Sequence, residues 1–260
     1  MSWLRKYYLP LLCALLFLSG FALGGGSLAG CGRAVENKAE KAINEMLPQY
    51  LGPAKRWSSR VSGKTGAMLR GRLGKVRIEG EDVTLAPGLV VEKLTVDLED
   101  VSVDRGAGQL QDVGKTVFTA RLSEAMLNRY VRMYRPTLRD LNITTAADGR
   151  LTVRARPELF GYPTLPVEVR GTLRPGGGGA WLDFDPDRAK LSVVPIPVFV
   201  AEHIADRLNP AVDLSDLALP IVVEGVQVEQ GALTLSGRVP SDALLNAARE
   251  AASGGGQRGT

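Results

Sequence analysis

The chain has 260 residues, 45% hydrophobic and 23% charged, with a net charge of +4 and a mean hydropathy of zero. This balance excludes a disordered polymer, and 30 glycines without a period exclude a collagen-like one. Two cysteines and one histidine, His203, exclude a disulfide-rich scaffold, a multi-histidine metal centre and a histidine acid/base pair.

The first thirty residues read as an export signal. Arg5 and Lys6 precede a 15-residue apolar run, Leu9 to Leu23, shorter than the roughly 20 residues of a membrane span. Leu28-Ala29-Gly30-Cys31 follows, a pattern that resembles the lipobox of bacterial lipoproteins. That resemblance implies removal of residues 1–30 and a diacylglycerol thioether on Cys31. Two other readings fit the same residues: ordinary cleavage after Ala29, or an uncleaved anchor. A mature chain from Cys31 keeps 30 basic against 28 acidic residues, and Cys31 as its single cysteine. With that thiol lipidated, cysteine nucleophiles, thiolate metal sites and redox work are excluded.

Val35, Ala39, Ala42, Ile43, Met46, Leu47 and Tyr50 recur at helical spacing with polar residues between them. The spacing predicts an amphipathic helix from Ala34, ended or kinked at Pro48, with Gly32 and Arg33 as an extended spacer behind Cys31. From about residue 56 the period becomes two. Trp57, Ser59 and Val61 share one side of a strand; Leu73–Ile78 and Val83–Leu85 read as short separate strands. Val90, Leu94, Val96 and Leu98 share one side of a longer strand. The phase then flips to Val101 and Val103, which predicts a bulge or bend near Asp100. Gly106-Ala107-Gly108 marks a turn. A second helix is expected from Ser123 to Tyr134, capped by Ser123 and stopped by Pro136. Strands follow at 142–146, 150–155, 165–173, 180–184 and 189–193, with a hairpin at Asp148-Gly149. A third helix is expected over 197–208, a last hairpin around Gln230-Gly231, a short helix from Ser241, and a disordered tail at 253–260. The expected organisation is one α+β domain over 34–252: a long curved antiparallel sheet with amphipathic helices on one face.

The order of these segments resembles the LmeA-like phospholipid-binding family of bacterial envelope proteins. The resemblance is carried by the opening helix, Leu69-Arg70-Gly71-Arg72, Val76–Gly80, Gly88-Leu89-Val90-Val91 and Ala120-Arg121-Leu122-Ser123-Glu124. Asp148–Val153, Leu208–Ser215 and Gly231–Gly237 complete it. It implies a sheet wrapped around a helix, similar to tubular lipid-binding proteins, and phospholipid binding without enzymatic activity or cofactor. It carries over no site residue.

Other motifs dissolve on inspection. Gly63-Lys64-Thr65 lacks the phosphate-loop glycine, since Ser58 stands there. Asp183, Asp185 and Asp187 have the spacing of a calcium loop, but Arg188 replaces its glycine and Val194 its bidentate glutamate. His203 has no partner to make it a ligand or a base. Lys55, Arg56, Arg60, Lys64, Arg70, Arg72, Lys75 and Arg77 lie in a stretch without an acid between Glu45 and Glu79. They fit either a solvated sheet face or contact with anionic head groups, for which Arg70, Arg72, Lys75 and Arg77 are the candidates. Arg129, Arg132, Arg135 and Arg139 read as the wet side of the second helix. Met126, Leu127, Tyr130, Val131 and Tyr134, with Phe199, Val200, Ile204 and Leu208, fit a closed core as well as a groove for acyl chains; the family resemblance favours the groove. The expectation is an exported, lipid-anchored protein of the cell membrane or outer membrane, on the extracytoplasmic side. It binds phospholipid and a membrane surface, without metal, nucleic acid or catalysis. The alternative is a scaffold lipoprotein with a closed core and a protein partner.

Overall fold

The computed structural model describes residues 31–104, 109–136, 138–159, 162–163, 166–191, 194–195, 202, 205–215, 217 and 221–246. The export signal, the 106–108 turn, most of the third helix with His203, and the 253–260 tail lie outside the described residues.

The helix α1 spans Cys31–Tyr50 and is followed by β1, Arg56–Ser62, and the single turn α2, Thr65–Met68. Two long strands come next, β2 (Arg72–Ala86) and β3 (Leu89–Asp104), then β4 (Gln109–Asp112), β5 (Lys115–Ser123) and α3 (Glu124–Tyr134). The second half holds β6 (Leu138–Thr145), β7 (Leu151–Leu159), β8 (Tyr162–Pro163), β9 (Val167–Gly176) and β10 (Trp181–Leu191). After these come β11 (Val194–Pro195), β12 (Val212–Asp213), β13 (Val222–Glu229) and β14 (Ala232–Arg238). The strands form the expected curved antiparallel α+β architecture, divided into two sheets. The first runs β1-β2-β3-β5-β14-β13, with β4 on β3; the second runs β11-β10-β9-β7-β6, with β12 on β10 and β8 on β7.

The sheets curl because single residues reset the side-chain alternation. Asp100 has φ 54°, Asp82 φ 50° and Asp140 φ 52°, a conformation that the short polar side chain of aspartate tolerates. In β3 the buried residues pass from Leu94 and Leu98 to Val101 and Val103 across Asp100, which is the bend that the phase flip announces. Asp82 does the same in β2, so the two expected short strands are one continuous 15-residue strand. The strands expected at 180–184 and from 189 likewise join as β10, Trp181–Leu191, through a register shift between Pro186 and Arg188. Val90 leaves the expected face: its neighbours Leu89 and Val91 are buried, and it is half-exposed. Both hairpins close on glycines of positive φ, Gly149 and Gly231.

The first helix begins three residues earlier than expected and takes in Gly32 and Arg33, so no extended spacer follows Cys31. A glycine in a helix costs about 1 kcal/mol, which an apolar stripe of this length outweighs. Pro48 sits inside its last turn rather than ending it. Ala39, Ile43 and Leu47 bury against β1, the outer strand of the first sheet. Glu40 caps that edge: its Oε1 accepts the Val61 N–H at 2.9 Å, and its backbone carbonyl accepts from Ser59 Oγ.

Candidate functional site

The helix α3 is tied to β6, the outer strand of the second sheet. Ser123 caps its start, accepting from Met126 N–H. One turn on, buried Asn128 behaves like a missing strand: its Nδ2 donates to Ile143 O at 2.7 Å and its Oδ1 accepts from Ile143 N at 2.7 Å. Glu124 Oε2 accepts the Thr145 N–H and hydroxyl, and Arg132 Nε donates to Leu141 O. Alternate residues 141, 143 and 145 of β6 are thus satisfied by side chains of α3. Arg135 reaches the other way, donating to Leu208 O and Pro210 O. Two of the four arginines expected on a merely wet face, Arg132 and Arg135, therefore hold the helix in place.

The candidate groove residues divide along α3. Leu127 and Val131 are 1% and 0% exposed, Tyr130 and Leu208 are also buried, and Met126 is half-buried. Leu127, Tyr130, Val131 and Leu208 share one apolar cluster with Phe118, Leu122 and Phe184. Tyr130 Oη donates to Asp213 O and accepts from Asp213 N, and burial pushes its phenol above the ordinary tyrosine value. Phe199, Val200 and Ile204 lie outside the described residues. Only the last turn surfaces: Met133 is 58% exposed and Tyr134 44%. Tyr134 Oη donates to Pro87 O at 3.0 Å, and Met133 Sδ lies over Gly88, so this apolar patch adjoins the β2–β3 turn.

The basic stretch also divides. Arg77 makes a bidentate pair with Asp97 across β2–β3, at 2.8 and 2.9 Å, and holds that carboxyl below its usual range. Lys75 lies between Asp97 and Glu99, and Arg56 pairs with Glu81. These cations are neutralised within the sheet, so Lys75 and Arg77 are poorly suited to a head group. Lys55, Arg60, Lys64, Arg70 and Arg72 form no ion pair among the described residues. Sequence reasoning missed Leu69, which is 41% exposed beside Arg70.

Nothing in the described residues resembles a reaction centre. They hold no group of three or more His, Cys, Asp or Glu able to hold a metal ion. The aspartate triplet lies along β10, with Asp183 accepting from Trp181, Asp185 paired to Arg174 and Asp187 to Arg150. No described helix is long and apolar enough to cross a membrane.

The model of a family described as LmeA-like phospholipid-binding matches residues 30–238. No curated protein and no solved structure matches the chain. With most of its length matched, the chain belongs to the LmeA-like phospholipid-binding family, a binding rather than a catalytic family.

Proposed function

We propose that this protein is an exported, lipid-anchored envelope protein that takes phospholipid acyl chains into its apolar interior and handles lipid at a membrane surface. Family membership over residues 30–238 carries the reading. Two features support it further. Leu28-Ala29-Gly30-Cys31, which resembles a lipidation signal, straddles the start of the matched region. The curled sheets pack a large apolar cluster against α3, and Met133 and Tyr134 stand exposed at the end of that helix. Affinity would come from chain burial, about 0.8 kcal/mol per CH₂, with no covalent step.

Native mass spectrometry of the full chain purified from membranes tests this: phospholipid should remain bound, and widening the interior at Leu127 should change the retained chain lengths. A chain that retains no lipid and takes up none from labelled phospholipid vesicles overturns it. The near-complete burial of Leu127, Val131 and Leu208 favours a second reading, a closed scaffold with a protein partner, and the same experiment separates the two. Intact-mass measurement of the mature N-terminus tests the anchor: a diacylglyceryl Cys31 is expected, and a bare Cys31 or Gly30 terminus overturns it.

A further inference from the structure

The unpaired cations are not scattered along the sheet; most of them cluster at one corner. α1 lies antiparallel to β1, since Glu40 meets Ser59 and Val61 while Gly52, beyond the helix, accepts from Trp57 Nε1. From Glu40 back to Cys31 is nine residues, about 14 Å of helix. From Val61 forward to Thr65 is about 13 Å of extended chain. The start of α1 is therefore level with α2, which it contacts. At this corner stand Lys64, Arg70 and Arg72, all exposed, with exposed Leu69 among them.

The corner is rigid. Leu69, Arg70 and Gly71 donate their N–H groups to Thr65, Ala67 and Met68, and Gly71 O accepts from Val103 N at 2.8 Å. Met68 is buried beneath. The turn thus presents one apolar side chain flanked by cations, fixed to the sheet, at the end where Cys31 begins α1. Arg72 stands opposite Ser102, not opposite an acid.

We propose that this α2 corner is the surface by which the domain seats on an anionic bilayer, with Leu69 entering the interface and Lys64, Arg70 and Arg72 on the phosphates. The proposal rests on the membrane anchor before α1, not on acyl-chain uptake. It also sets an orientation: the β2–β3 turn with Met133 and Tyr134 lies at the far end of β2, about 45 Å along the strand from Arg72.

A photo-crosslinking residue placed at Leu69, or at Met133, in the full chain reports which end touches lipid. With nanodiscs containing phosphatidylglycerol, lipid adduct at position 69 should exceed that at 133 several-fold. It should fall about tenfold with Arg70→Glu plus Arg72→Glu, and fall likewise in pure phosphatidylcholine or 1 M salt. Rescue by Arg70→Lys plus Arg72→Lys would show that charge is what matters. Equal adducts at the two ends, no adduct at 69, or adduct at 69 indifferent to charge reversal overturns the proposal. Lipid retained inside the charge-reversed chain should be unchanged. Loss of interior lipid in the parent chain would defeat the acyl-chain reading alone and leave the corner's contact standing.

Discussion

Each of the two long helices guards the edge of one sheet, but with unequal means. α3 satisfies β6 with Glu124, Asn128 and Arg132 at alternate residues, and is tied to residues 208 and 210 by Arg135. Among the described residues, α1 guards β1 through Glu40, and its buried-side Asn44 leaves Oδ1 without a partner. Two helices with similar apolar stripes thus differ in their polar sides. An apolar stripe brings a helix to a sheet, but directional bonds fix its position. By this measure α3 is an internal pillar, whereas α1 is a held but separable element on the outer strand of its sheet.

The largest effect should come from the pillar's core. Leu127→Ala should cost about 3 kcal/mol in denaturant unfolding, and Ile43→Ala on α1 less, since α1 can shift along a single strand to close the gap. Equal losses would break the comparison. Asn128→Ala should cost about 2 kcal/mol, because it strands both backbone groups of buried Ile143. Asn44→Ala should be close to neutral by the same assay, its Oδ1 having no bond to lose. Hydrogen exchange sharpens the contrast further: Glu40→Ala should cost about 1 kcal/mol and deprotect the Val61 amide while leaving Ile143 protected. Ser123→Ala should cost about 0.5 kcal/mol, the weak end of the capping range, since its bond to Met126 is long at 3.4 Å. A further small effect lies outside both helices. Arg77 lowers the Asp97 carboxyl in the folded state, so that stability is present above the unfolded carboxylate pKa and is lost as pH falls through the folded one. Asp97→Asn should remove that part of the acid dependence, and by little, because Arg77 is half-exposed.

Much of the fold was legible where a local rule decides it. The amphipathic stripes, the Asp148-Gly149 and Gln230-Gly231 hairpins and the bend at Asp100 all follow from short-range pattern. The continuity of β2 was not, because Asp82 flips the phase inside a strand and imitates a break. The divided basic stretch was equally hidden. Arg77 and Arg72 look alike in sequence; register sets one opposite Asp97 and the other opposite Ser102. Arg135 is bonded to a carbonyl 73 residues away, which no spacing reveals. Leu69 left a signal read only for the family resemblance: an apolar residue just before Arg70-Gly71-Arg72, whose glycine takes φ 81°.

The carboxylate of Glu40 has a consequence for the company the protein keeps. β1 is an outermost strand, and an uncovered strand edge is a template for another chain. If α1 is drawn away from the sheet, the Val61 amide and its neighbours become free to pair with the same strand of a second copy. The first helix would then also be the stopper against edge-to-edge polymerisation, so that loosening it would turn a capped strand into a seed.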